Sequence, residues 1–141
     1  MIFRIFKVVF CGLVVALSVG CAGIGSSTDA SSGQASKLSS VEKLVMLRAQ
    51  QRWDELMAGE LNKAYAFISP AGRTKLQAQD YRTRVNTGHF RKAVVQEASC
   101  QIDSCDVKVS LDYVVGGMAL KQTLSEIWIL DEGNWWFVYR G

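Results

Sequence analysis

The sequence predicts an α+β domain in which helices come first and antiparallel strands follow. Three observations carry this: an apolar stripe of helical period downstream of residue 39, a change to strict alternation after Gly88, and paired turn residues between the alternating stretches. In 141 residues there is room for one such domain, since residues 1–38 are not composed like a core. Residues 39–141 are expected to hold it.

Ser39 followed by Glu42 matches a capping box, so a helix is expected to start there. Val41, Val45, Ala49, Trp53 and Met57, with Leu44 and Leu56, form its apolar side, and Gly59 is a natural stop. Leu61, Ala64, Tyr65 and Ile68 predict a second, shorter helix. Ser69-Pro70 can cap and open a third, continuing through residues 76–85 and closed by Asn86-Thr87-Gly88. Strands are expected over residues 93–100, 105–113, 119–130 and 135–140. The second shows the clearest alternation: Cys105, Val107, Val109, Leu111 and Tyr113 against Asp106, Lys108, Ser110 and Asp112. Gly116-Gly117 and Glu132-Gly133-Asn134 mark the turns. Trp135 and Trp136 are neighbours on a strand and must face opposite sides, which points to one of them as a contact for a partner.

The first third reads as an address. Arg4 and Lys7 precede an uncharged, mostly apolar run over residues 8–19, ending in small residues before Cys21. This is the pattern of a cleaved export signal, and the run is shorter than the ~20 apolar residues that cross a bilayer. Leu17-Ser18-Val19-Gly20-Cys21, with serine where leucine is commonest, resembles the lipobox of bacterial lipoproteins. That likeness implies a signal peptide over residues 1–20, lipidation of Cys21, and a lipid anchor on the periplasmic side of a membrane. Ala22 beside the cysteine implies the outer membrane. Residues 21–38, Gly- and Ser-rich with almost nothing large to bury, are expected to form a flexible tether.

Charge narrows the partners. The formal net charge is +3, but without Arg4 and Lys7 it is +1, and no Lys/Arg cluster occurs in residues 40–141. Nucleic acid is therefore not an expected partner. Cys100 and Cys105 lie on either side of a four-residue turn, where an oxidising compartment would join them as a disulfide. His89 is the only histidine, and with only those two cysteines for company it makes a metal site unexpected. No phosphate loop, hydrolase serine motif or zincin helix occurs, and no cofactor is implied.

Gln51-Arg52-Trp53-Asp54-Glu55-Leu56-Met57-Ala58-Gly59-Glu60, Ala64-Tyr65-Ala66-Phe67-Ile68-Ser69-Pro70 and Glu126-Ile127-Trp128-Ile129-Leu130-Asp131-Glu132-Gly133-Asn134-Trp135-Trp136 together resemble the nuclear transport factor two-like, or ketosteroid isomerase-like, superfamily. The resemblance implies a cone-shaped, cystatin-like arrangement, helices packed on a curved antiparallel sheet, with a pocket between the two layers. It also implies an isomerase chemistry whose residues are missing here. The donor tyrosine falls on or near Arg52, and no aspartate occurs in residues 69–79 to act as base.

Glu126 is the catalytic candidate. It is a carboxylate sharing a strand face with Leu120, Leu124, Trp128 and Leu130, where desolvation favours the protonated acid. The competing expectation is that it pairs with Arg52 or Arg48 and only joins sheet to helix. Trp53, Tyr113, Glu126 and Trp128 are the candidate ligand-binding residues, although four tryptophans in so small a domain are more commonly core. The functional expectation is a non-enzymatic, lipid-anchored periplasmic module binding another envelope component or a small apolar ligand. The alternative is a ketosteroid isomerase-like enzyme in which Glu126 and Tyr113 converge.

Overall fold

The computed structural model describes residues 29–141, with side chains described from residue 40 onward. The expected signal peptide and Cys21 lie outside the described residues. The chain forms an α+β fold. Helix α1 (Asp29–Met57) is followed by α2 (Leu61–Tyr65), α3 (Pro70–Lys75) and α4 (Ala78–Arg84), then by strands β1 (Phe90–Cys100), β2 (Ser104–Val115), β3 (Met118–Asp131) and β4 (Asn134–Phe137). The strands make one antiparallel meander in the order β1-β2-β3-β4.

α1 differs from expectation at its start. Ser39 lies inside the helix, which begins at Asp29 and takes in residues 29–38 of the segment expected to be coil. Once a packed segment has nucleated a helix, extending it costs little per residue, and no proline upstream of Ser39 interrupts the ladder. The apolar stripe is also shifted. Val45, Ala49, Trp53 and Leu56 are buried, whereas Leu44 and Met57 are exposed. Positions four apart advance by about 40° more than one full turn, so a four-residue stripe drifts round the helix and Leu56 takes the place of Met57.

Two short helices replace the single one expected over residues 70–85. At its start Ser69 behaves as predicted: its Oγ accepts the Gly72 N–H at 3.1 Å with Pro70 in the first turn. The break comes at Leu76, which is extended (φ −125°, ψ 108°) and buried. Burying that leucine requires leaving the helix. The Tyr65 hydroxyl donates to the Leu76 carbonyl at 2.8 Å, satisfying an acceptor that the helix no longer pairs.

The turns follow the sequence closely. Gly116 and Gly117 both have positive φ (58° and 81°), as does the pair Glu132 and Gly133 (49° and 76°). Two successive residues of this kind make the tight turn whose twist suits a right-handed hairpin. Cys100 and Cys105 are directly paired across β1 and β2 and form a disulfide, with Cα atoms 4.0 Å apart.

Both sheet edges are partly covered. Beside β4, Phe137 N–H donates to the Phe67 carbonyl at 2.8 Å and Ser69 N–H to the Phe137 carbonyl at 3.0 Å. On β1, the Gln50 amide of α1 acts as a short substitute strand: its Nε2 donates to the Ala93 carbonyl at 3.2 Å and its Oε1 accepts the Val95 N–H at 2.9 Å. The first contact docks α2–α3 and the second docks α1, so unpaired backbone groups become attachment points. The core between the layers is formed by the α1 stripe with Ile68, Tyr81, Val107, Val109, Trp128, Trp135 and Phe137.

Candidate functional site

The inward face of β3 meets the C-terminal half of α1 at Glu126. This residue is buried, as is Arg52, and the two form an ion pair at 2.7 Å (Arg52 Nη1 to Glu126 Oε1). Two indoles complete the arrangement. Trp53 Nε1 donates to the same oxygen at 2.9 Å, and Trp128 Nε1 donates to Oε2 at 3.1 Å. Both carboxylate oxygens thus accept N–H groups from the protein, one of them charged. Arg52 also lies over the Phe137 ring, its Cζ 3.7 Å from the centroid. A stacked, paired guanidinium can tolerate this degree of burial.

Arg48, the other arginine considered for Glu126, does not reach it. Its Nε donates to the Trp135 carbonyl at 2.6 Å and its guanidinium lies over Phe67 and Trp136. The two arginines are four residues apart and share a side of α1, but β3 and β4 present them with different partners. Trp135 is buried and Trp136 half-buried, so the neighbouring tryptophans do divide between the two faces. Trp136 is covered by Arg48 and Arg73, each with Cζ 5.4 Å from a ring centroid, which leaves it less exposed than a free contact residue.

Tyr81 is the buried polar residue that the sequence did not single out. It is fully buried between Tyr65 and Tyr139, with ring centroids 5.6 Å from each. Burial pushes its phenol pKa up, opposed by the nearby positive charge of Arg52. The hydroxyl faces that guanidinium, yet neither Tyr81 Oη nor Arg52 Nε closes a hydrogen bond of ordinary geometry. A tyrosine at an interior position of a short amphipathic helix was the only available signal, and it reads as core.

A cleft of about 540 Å³ opens beside the ion pair. Arg52, Trp53 and Glu126 contribute to its wall, with Phe90, Leu124 and Phe137, while Arg84 and Arg140 stand at its lining from the end of α4 and from beyond β4. Trp53 and Phe90 make an aromatic pair, their centroids 5.9 Å apart. The candidate ligand-binding residues are therefore only partly brought together. Trp53 and Glu126 line the cleft. Trp128 is fully buried, holding Glu126 from within the core, and does not line it.

Tyr113 lies elsewhere, in a separate recess of about 290 Å³ near the β2–β3 turn, with Arg91, Asp112, Leu120 and Lys121. It shares the inward parity of Val107 and Val109 and packs half-buried against the margin of the core, while Leu120, its partner on β3, is exposed. Leu130 is exposed at the other end of β3. His89 is exposed just before β1, and Cys100 and Cys105 are joined to each other.

Neither protein-family models nor curated proteins return a match to this chain. The chemistry of the site rests on its own geometry.

Proposed function

We propose that the protein is a lipid-anchored module of a bacterial envelope that binds a ligand in the cleft between α1 and the sheet and does not transform it. The observation that carries this reading is the state of Glu126. A general acid or base must exchange a proton with substrate, whereas Glu126 is held as a buried ion-pair partner by Arg52, with Trp53 donating to the same oxygen and Trp128 to the other. The enzyme reading also required Glu126 and Tyr113 to converge, and they line different recesses. The cleft itself falls in the ordinary size range of small-molecule sites, about 300–1,000 Å³. Its position between a helix layer and an antiparallel sheet agrees with the cone-shaped, nuclear transport factor two-like arrangement, which belongs to this proposal. So does the anchor on Cys21, with its implied periplasmic, outer-membrane location.

Native mass spectrometry of the protein purified from its own envelope tests these parts together. It should show a diacylglycerol-modified cysteine as the first residue and a retained ligand or bound envelope protein. An unmodified N-terminus would remove the anchor. Conversion of a retained ligand to product by the wild type, lost in a folded Glu126→Gln variant, would replace the binding module with an enzyme.

A further inference from the structure

Building on the binding reading, we propose that the cleft takes an amphipathic anion: an apolar chain or ring seated on the aromatic wall, with a single carboxylate or phosphate head held by Arg84 and Arg140. The wall and the rim differ in chemistry. Trp53, Phe90 and Leu124 supply the apolar surface, and Glu126, hydrogen-bonded to Trp53, is already paired with Arg52. That pair is close to neutral as a unit and gives an incoming anion neither attraction nor repulsion of note.

The two rim arginines are in a different condition. Both are exposed, and among the described residues neither guanidinium has a hydrogen-bond, ion-pair or ring partner. They also reach the cleft from independent parts of the chain, Arg84 in the last turn of α4 and Arg140 three residues beyond β4. Elsewhere in the described domain arginines are engaged: Arg48 and Arg73 with Trp136, Arg52 with Glu126, Arg82 with Asn62 and Gln79, Arg91 with the Gly88 carbonyl. Two unengaged guanidinia at the lining of one apolar cleft form a receptor for carboxylate or phosphate oxygens, which the planar fork of arginine matches with paired N–H groups. The apolar wall then sets the second requirement, a hydrophobic body that leaves water on entering.

The test uses the full chain held in nanodiscs of zwitterionic lipid, with empty discs as reference, and isothermal titration with octanoate, octyl phosphate, octan-1-ol and inorganic phosphate. Binding of octanoate, octyl phosphate or both at least tenfold tighter than octan-1-ol, with no saturable binding of inorganic phosphate, is the expected result; the tighter of the two acids identifies the head group. The double variant Arg84→Gln/Arg140→Gln should weaken the acid about tenfold and leave octan-1-ol and the melting temperature unchanged. A control that removes two charges outside the cleft, Lys92→Gln/Lys121→Gln, should keep wild-type affinity. Equal affinity for acid and alcohol, tight binding of inorganic phosphate alone, or an unaltered acid affinity in the arginine variant would each overturn the proposal. If neither acid binds while native mass spectrometry still finds a retained ligand, this inference fails and the binding module stands; turnover of the ligand sinks the binding module itself.

Discussion

Replacing Glu126 by Gln removes one negative charge and changes almost nothing in shape, so the loss it causes measures what the charge does. Arg52 would remain buried with its guanidinium facing an amide in place of a carboxylate. Removing one partner of a buried pair typically costs about 3–5 kcal/mol because the other charge is left uncompensated. The amide adds a second conflict. Trp53 and Arg52 donate to one oxygen and Trp128 to the other, so whichever way the Gln amide is turned, its NH₂ meets an N–H donor. An unmet buried donor costs about 1–3 kcal/mol, and since the two effects share the same groups they do not simply add. A total near 4 kcal/mol is expected, a large part of the roughly 5–15 kcal/mol by which domains are normally stable. Urea unfolding followed by tryptophan fluorescence gives the number, provided the slope with denaturant stays that of the wild type. A double-mutant cycle with Arg52→Met should show coupling of about 2–3 kcal/mol, the upper part of the range for contacting residues, and Arg48→Met should show none. A loss below about 1 kcal/mol, the value of an exposed pair, or coupling to Arg48, would refute the assignment.

Gly72→Ala should destabilise although alanine is the better helix former by about 1 kcal/mol. Its Cβ would lie 2.8 Å from Ile68 Cγ2 and 3.0 Å from Ser69 Oγ, and Ile68 is fully buried, so overpacking of about 1–3 kcal/mol is expected to win; a raised melting temperature would contradict this. Removing the disulfide as Cys100→Ala/Cys105→Ala should cost about 2 kcal/mol on the chain-entropy estimate for so short a loop, read as a lowered urea midpoint with the fold retained by circular dichroism. Tyr81 carries a pH dependence. Because its folded pKa is raised by burial, the phenol form is favoured in the fold; that stabilisation is complete below the unfolded value of about 10 and is lost as the pH climbs through the folded value. Tyr81→Phe should flatten the alkaline limb of the stability profile and change stability near pH 7 by no more than about 1 kcal/mol, since the hydroxyl it deletes has no hydrogen-bond partner; an unchanged alkaline limb would rule out Tyr81 as its source.

Local pattern was enough for much of this molecule. The helical period of Val45, Ala49, Trp53 and Leu56, the alternation of Cys105, Val107, Val109 and Leu111, and the glycine pair at 116–117 each act over a few residues, within the reach of backbone propensity and side-chain period. They were sufficient for the α+β order, for the hairpins and for the disulfide across a four-residue turn. Local pattern also narrowed Glu126 to two arginines four residues apart. It could not choose between them. Arg48 and Arg52 have the same chemistry on the same side of one helix, and what separates them is where β3 and β4 cross beneath, more than seventy residues away. The same holds for the candidate ligand residues. Trp53 and Trp128 look alike as large aromatics, but one lines a cleft and the other supports its wall from inside, while Tyr113 has the correct inward parity and lines a different recess near the β2–β3 turn. Arg84 and Arg140 gave no local signal at all, since an unpaired arginine near a helix end or a strand end is ordinary until packing puts both beside one apolar surface. Side-chain period selects a face; only the crossing of helix over sheet decides which residues on that face meet.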